Sequence, residues 1–306
     1  FISPHKMVGG PGTPGVLVAR RELFTNRVPD VPGGGTVRFV ATETHEYLPE
    51  IEAREEGGTP AIVDSIRAGL VFQLRDAVGI ETIRTNEERF ARDAIESWET
   101  NPNIDVLGSH DAERLSIVSF LVRHGDRALH HNFVVAVLND VFGIQARGGC
   151  SCAGPYGHRL LEIEADESAR YQREIARGSE GIKPGWARVN FNYFFSRETF
   201  DYIVDAVHLV ATSGWRMLPW YTFDPLTGLW RHRDSVDGTA DGLHAVDYSS
   251  GSMSYPWVRH ERGGPLSDYL AAARDVLMAP PPDVIDPEPT SADFEALRWF
   301  AYATDA

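Results

Sequence analysis

Two residue types in this chain can do covalent chemistry, and both are scarce. Lysine occurs only at Lys6 and Lys183 and cysteine only at Cys150 and Cys152, whereas Lys and Arg together number 29. Lys6 lies in "SPHKMVGGPGTPG" (3–15), between a Ser-Pro-His run and a glycine-rich loop. A lysine amine can form a Schiff base with a carbonyl compound, which the permanently protonated guanidinium of arginine cannot do. Ser3 and His5 place hydrogen-bonding groups beside it, and Gly9, Gly10, Gly12 and Gly15 let backbone approach a phosphate closely. The motif is not a P-loop, because here the lysine precedes the glycines. An ordinary turn carrying an exposed lysine fits the same spacing.

The second candidate is "ARGGCSCAGPYG" (146–157), where thiols sit in a glycine-rich segment close to Arg147. A nearby cation and loop amides lower a thiol's pKa and raise its thiolate fraction. A small buried cysteine is the alternative reading. Cys150 and Cys152 are too close in sequence for an unstrained disulfide. With His158 they still lack a further ligand for a closed zinc site, so no metal is expected. The third candidate is Arg188, at alternating spacing in the otherwise apolar "WARVNFNYF" (186–194). A buried guanidinium requires an acid, either a substrate carboxylate or one of the chain's 44 acidic residues. The pairs His130-His131 and Glu55-Glu56 read as solvated helix or loop ends.

These groups must be held by regular elements. "FISPHK" reads as the end of a buried strand, and "GVLVARRELF" (15–24) and "TVRFVAT" (36–42) as further strands. Thr59-Pro60 offers an N-cap and first-turn proline for a helix over 61–78, and a polar helix over 81–100 ends at "NPN". Strand patterns at 104–108 and 114–123, a helix at 132–143, extended 144–149, a helix near 159–177, a strand at 186–194 and a helix at 197–214 make an α+β unit. A hairpin around Asp224-Pro225, a polar glycine-rich stretch, the linker "MAPPPDVIDPEP" and a short last helix follow.

The chain has 306 residues, 42% of them hydrophobic, enough for a sizeable core, and a net charge of -15. That charge opposes encounters with nucleic acid or an anionic membrane surface. No apolar run approaches the roughly 18 residues of a membrane span, and the start does not resemble a signal peptide, so a cytosolic location is expected. Beginning at Phe1 within an apparent strand, the chain is expected to start in mid-fold.

Taken in order, the motifs from Phe1 to about Gly214 resemble the class V aminotransferase family of pyridoxal-phosphate enzymes, and within it the cysteine desulfurases. "SPHKMVGGPGTPG" is similar to that family's cofactor-lysine loop, which implies Lys6 as the Schiff-base lysine and Ser3 and His5 as contacts to the cofactor phosphate. "PGGGT" resembles the segment that reaches the phosphate of the other subunit's cofactor, which implies a homodimer with Thr36 at its interface. "EEGGTP" matches a family turn that begins a helix. In "RGGCSCA" Cys152 stands at the spacing of the persulfide-forming cysteine, and Arg188 is placed like the arginine for the substrate α-carboxylate. The resemblance therefore implies an α/β chain of fold type I. Its parts would be the C-terminal part of a large cofactor-binding domain (1–85), a small α+β domain (86–214) and a C-terminal appendage (215–306). It further implies pyridoxal 5'-phosphate as cofactor, an amino-acid substrate and a sulfur-acceptor protein. A class V aminotransferase or lyase acting on another amino acid, and a non-catalytic interaction module keeping the family fold, are the alternative readings.

Overall fold

Val118, Phe120 and Val122 alternate along one strand and are all essentially inaccessible to solvent, so one face of the sheet that contains them must be covered by helices. The computed structural model describes residues 1–150, 154–235, 245–255 and 263–305. It divides into two units, Phe1–Arg84 and Thr85–Ala306.

The first unit contains the antiparallel pair β1 (Val37–Val40) and β2 (His45–Tyr47), a short helix α1 (Ile51–Arg54) and the long helix α2 (Ile62–Val78). Two expectations fail here. Residues 15–24 form no strand: Val16 makes a single bridge to Ile2, Arg21–Leu23 is a 3-10 turn, and Leu17 and Val18 are exposed. Phe1 is likewise fully exposed, so "FISPHK" is not a buried strand. Strand propensity is realised only against a neighbour, and the described chain offers these residues none beyond the Ile2–Val16 bridge. Helix α2 starts at Ile62 without a side-chain cap, and its Ile62, Ile66, Leu70 and Leu74 form an exposed apolar stripe at four-residue spacing.

Helix α3 (Ile80–Trp98) contains the boundary between the units, and its C-terminal half supplies Phe90, Ala94 and Trp98 to the core of the second. There, β3 (Ile104–Val106), β4 (Ile117–His124), β5 (Arg127–Ala128), β6 (Arg147–Gly149) and β7 (Trp186–Asn190) form a five-stranded sheet. Its order is β3-β4-β7-β6, with β5 also on β4, and every pairing is antiparallel. Helices α4 (His131–Phe142) and α7 (Arg197–Ser213) pack on it, the latter capped by Ser196 Oγ, which accepts from the Thr199 N–H at 3.1 Å. Phe90 of α3 stacks on Phe200 of α7 with centroids 4.8 Å apart, and Trp98 Nε1 donates to the Val204 carbonyl at 3.2 Å.

The single helix expected near 159–177 is two, α5 (Gly154–Leu160) and α6 (Ala165–Ala176), separated at Glu162, whose φ of 54° lies in the left-handed region. The hairpin β8 (Tyr221–Asp224) and β9 (Leu229–His232) turns at Asp224-Pro225 as expected. A helix absent from the sequence reading, α8 (Leu266–Met278), precedes the linker, and α9 (Ala292–Leu297) follows it. The segment 215–306 joins the common core through Tyr221, Phe223, Trp230, Phe294 and Phe300.

His130 and His131 are not solvated as expected but buried to 1% and 5% exposure. Their rings stack 4.2 Å apart and both lie against Trp299. His130 caps α4, accepting the Asn132 N–H on Nδ1 at 3.1 Å, and its Nε2 donates to the Gly181 carbonyl at 3.2 Å. The reason is non-local: Trp299 and Phe300, from the far end of the chain, close over this helix start. No helix among the described residues is long and apolar enough to cross a membrane.

Candidate functional site

The lysine loop is closed at its base by reciprocal hydrogen bonds between Ile2 and Val16, at 2.8 and 2.9 Å. Pro4–Lys6 forms one 3-10 turn, with the Lys6 N–H donating to the Ser3 carbonyl at 3.0 Å. The chain then folds back so tightly that a Cβ on Gly10 would lie 1.9 Å from the Pro4 carbonyl oxygen, a position only glycine can fill. From α2, Arg67 Nη2 donates to the Pro11 carbonyl at 2.6 Å and fixes the far side. The result is a pinned loop presenting an exposed His5 and Lys6 and a half-buried Ser3. None of these three side chains has a partner among the described residues. The other lysine, Lys183, is paired with Glu180. Only one of the two amines is therefore uncommitted.

Thr36 lies in a separate turn of the same unit and is fully buried. Its hydroxyl donates to the Gly33 carbonyl at 2.6 Å and accepts the Gly33 N–H at 3.2 Å. The Gly58 N–H donates to the Gly34 carbonyl at 2.8 Å, binding the "PGGGT" and "EEGGTP" turns together. Thr59, next along, carries an exposed hydroxyl with no partner among the described residues, a feature the sequence reading passed over as a helix cap. Thr36→Val should lower stability by about 1–2 kcal/mol in chemical denaturation, because it removes both hydroxyl bonds from a buried turn.

In the second unit, β6 and β7 bring Arg147 directly opposite Arg188. Neither guanidinium has a carboxylate partner among the described residues. Partial burial pushes the Arg188 pKa down, and the neighbouring Arg147 charge pushes it the same way. Two adjacent uncompensated cations, one half-buried, form a site for an anion, and a carboxylate can accept from a guanidinium with both oxygens. Glycines make this closeness feasible: a Cβ on Gly148 would lie 2.6 Å from Asn132 Oδ1, and one on Gly185 2.7 Å from the Gly149 carbonyl carbon. Cys150 follows β6 directly and is an exposed free thiol. Cys152 lies outside the described residues. No group of three or more His, Cys, Asp or Glu among the described residues could hold a metal ion.

The aminotransferase class-V family model matches residues 1–179, more than half of the chain, including the lysine loop and the cysteine segment but ending before Arg188. The chain belongs to this family. Among its curated relatives, the probable cysteine desulfurase 2 of Mycobacterium leprae is 32% identical over 171 residues, covering 56% of this chain and 39% of the relative. A probable cysteine desulfurase of Halobacterium salinarum is 27% identical over 206 residues, covering 67% and 43%. Among solved structures, the apo cysteine desulfurase of Thermococcus onnurineus superposes with a TM-score of 0.52 at 24% identity, covering 65% of this chain and 43% of that one. The likeness shows the fold expected from the motifs, that of fold type I. The class-V chain spans about two fifths of the length of these relatives.

Proposed function

We propose that this class-V chain carries the lysine, carboxylate-binding and sulfur-carrying residues of a pyridoxal-phosphate enzyme that transfers sulfur from L-cysteine to Cys152. The observation that carries the reading is the Arg147–Arg188 pair. It is an unneutralised anion site on the strands that lead straight to the cysteine segment of a family whose named relatives are cysteine desulfurases.

The lysine loop fits the cofactor, because it offers a free amine at Lys6 between unpartnered Ser3 and His5, held by a turn too tight for any side chain at Gly10. In this reading Lys6 holds pyridoxal phosphate covalently, and Ser3 and His5 donate to its phosphate. Thr36 joins them only by exchanging the bonds its hydroxyl makes to Gly33, while Thr59 has a free hydroxyl to offer. When bound, the cofactor supplies a sink for the electron pair left at the substrate's Cα.

The chain's own residues divide the remaining work. Arg188 grips the substrate carboxylate with two parallel N–H donors and so fixes Cα and the sulfur in place. The Lys6 amine, released when substrate binds, accepts the Cα proton on Nζ. The Cys152 thiolate then forms an S–S bond to the substrate sulfur as the Cβ–S bond breaks, leaving a persulfide on the enzyme and alanine as product. We assign the work to a cytoplasmic homodimer that passes the sulfur to an acceptor protein, with residues 1–85 contributing to a cofactor domain, 86–214 forming the small domain and 215–306 appended to it.

The test is to incubate the natural polypeptide that carries this chain with pyridoxal phosphate and L-cysteine. Alanine and sulfide, released in equal amounts under a reducing thiol, are expected; pyruvate and ammonia beside the sulfide in place of alanine would overturn the assignment in favour of a lyase, and mercaptopyruvate without sulfide in favour of an aminotransferase. Arg188→Lys should raise the KM for the amino acid about 10- to 100-fold in steady-state kinetics, because an ammonium keeps the charge but loses the planar two-pronged grip.

A further inference from the structure

A cavity of about 340 Å³ lies between α5, α6 and the start of β7, with Cys150, just past β6, on its lining and neither Arg147 nor Arg188 among its walls. Its walls are apolar, formed by Leu161, Ile163, Tyr171, Ile175, Pro184 and Trp186. Of the ionic side chains bordering it, Lys183 is neutralised by Glu180. Its remaining polar lining is the exposed Gln172, the exposed Cys150 thiol and one hydrogen-bonded pair, His158 from α5 and Ser168 from α6, both half-buried, and of these only the pair is held by a hydrogen bond among the described residues.

The direction of that pair can be derived. His158 Nδ1 lies 2.9 Å from the Gly154 carbonyl oxygen, which can only accept, so the proton of the neutral ring sits on Nδ1. Nε2 is then an acceptor, and the Ser168 hydroxyl 2.8 Å away must donate to it. Ser168 Oγ has thereby used its only proton, and no other described group donates to its lone pairs. The helix backbone fixes the ring, the ring fixes the hydroxyl, and the largely apolar cavity holds, in Ser168 Oγ, one acceptor whose orientation is set by its neighbours.

We propose that this cavity is a binding site for a small, uncharged, largely apolar molecule carrying one hydrogen-bond donor, a hydroxyl or a thiol. The volume stands at the lower end of the range for small-molecule sites, which suits a single ring or a short branched chain. An ion is disfavoured because the walls would strip its water without offering a counter-charge. A molecule that can only accept would face the Ser168 lone pairs and leave them unmatched.

The test is a ligand-observed NMR titration of the chain with benzyl alcohol, benzyl methyl ether and toluene. Benzyl alcohol is expected to bind about tenfold more tightly than the other two, the effect of one oriented hydrogen bond. In the double variant His158→Phe/Ser168→Ala, which removes the Ser168 lone pairs together with the Nε2 acceptor that Ser168→Ala alone would uncover, the three should bind alike, with toluene affinity retained. Leu161→Trp and Ile175→Trp each fill the cavity and should abolish binding of all three, with folding checked by far-ultraviolet circular dichroism. If neither filling variant folds, the ratio in His158→Phe/Ser168→Ala decides. Absence of benzyl alcohol binding to the unaltered chain, binding that survives in a folded cavity-filled variant, or an undiminished preference in His158→Phe/Ser168→Ala would each overturn the proposal.

Discussion

Cys152→Ala should abolish sulfide release from L-cysteine, by about a thousand-fold or more, while leaving cofactor binding intact. A residue that forms the covalent intermediate has no substitute, and alanine cannot accept the substrate's sulfur. Sulfide release and alanine formation should fall together, since the two products come from cleavage of the same Cβ–S bond. Cys150→Ala is the informative control. Cys150 is exposed at the end of β6, two residues from Cys152, and should affect turnover far less. If Cys152→Ala kept its rate, the thiol would be a bystander and the chain would catalyse another class-V reaction.

The second large effect concerns stability in acid and arises from the stacked histidines at the start of α4. Burial pushes the His131 pKa down to about 4, and its Nδ1 is buried without a partner. Burial, together with the adjacent His131, drives His130 well below its ordinary value as well. In the unfolded chain both titrate near the usual imidazole pKa of about 6.5. Above that pH both states are neutral and the pair has no effect on the pH dependence. As pH falls from about 6.5 to about 4, only the unfolded chain gains protons, so folding loses stability throughout the window. His131 alone accounts for about 3 kcal/mol of that loss, with His130 adding to it. Urea denaturation from pH 7 to 4 should show this fall, and His131→Phe, which keeps an aromatic ring against Trp299, should flatten it. An unchanged slope in that variant would assign the acid sensitivity to other groups.

The chemical groups were more legible in the sequence than their surroundings. Lys6 stood out because lysine is scarce and a glycine-rich run follows it, and the loop it occupies is closed locally by Ile2 and Val16, with Arg67 of α2 fixing its far side. Arg188 was visible through alternation along β7. Its pairing with Arg147 was not, because strand register is set by contacts distant in sequence. The burial of His130 and His131 was hidden for the same reason: nothing near residue 130 announces that Trp299 and Phe300 will cover it. The opposite error occurred at 15–24, where strand-forming residues found only one bridge to pair with. Helix α8 did carry a signal, Leu266, Leu270, Ala273 and Leu277 recurring at four- and three-residue spacing and packing on the core, but it is short and sits directly behind a polar, glycine-rich stretch that obscured it.

The central claim is that Lys6 holds pyridoxal phosphate, and the chain's two lysines make the decisive measurement simple. The natural polypeptide is loaded with the cofactor, reduced with borohydride to fix any lysine adduct, digested and mapped by mass spectrometry. The account predicts the reduced pyridoxyl mass on the Lys6 peptide, none on Lys183, which is committed to Glu180, and loss of the visible absorbance band in Lys6→Ala. An adduct found elsewhere, or a band that persists in Lys6→Ala, would contradict it.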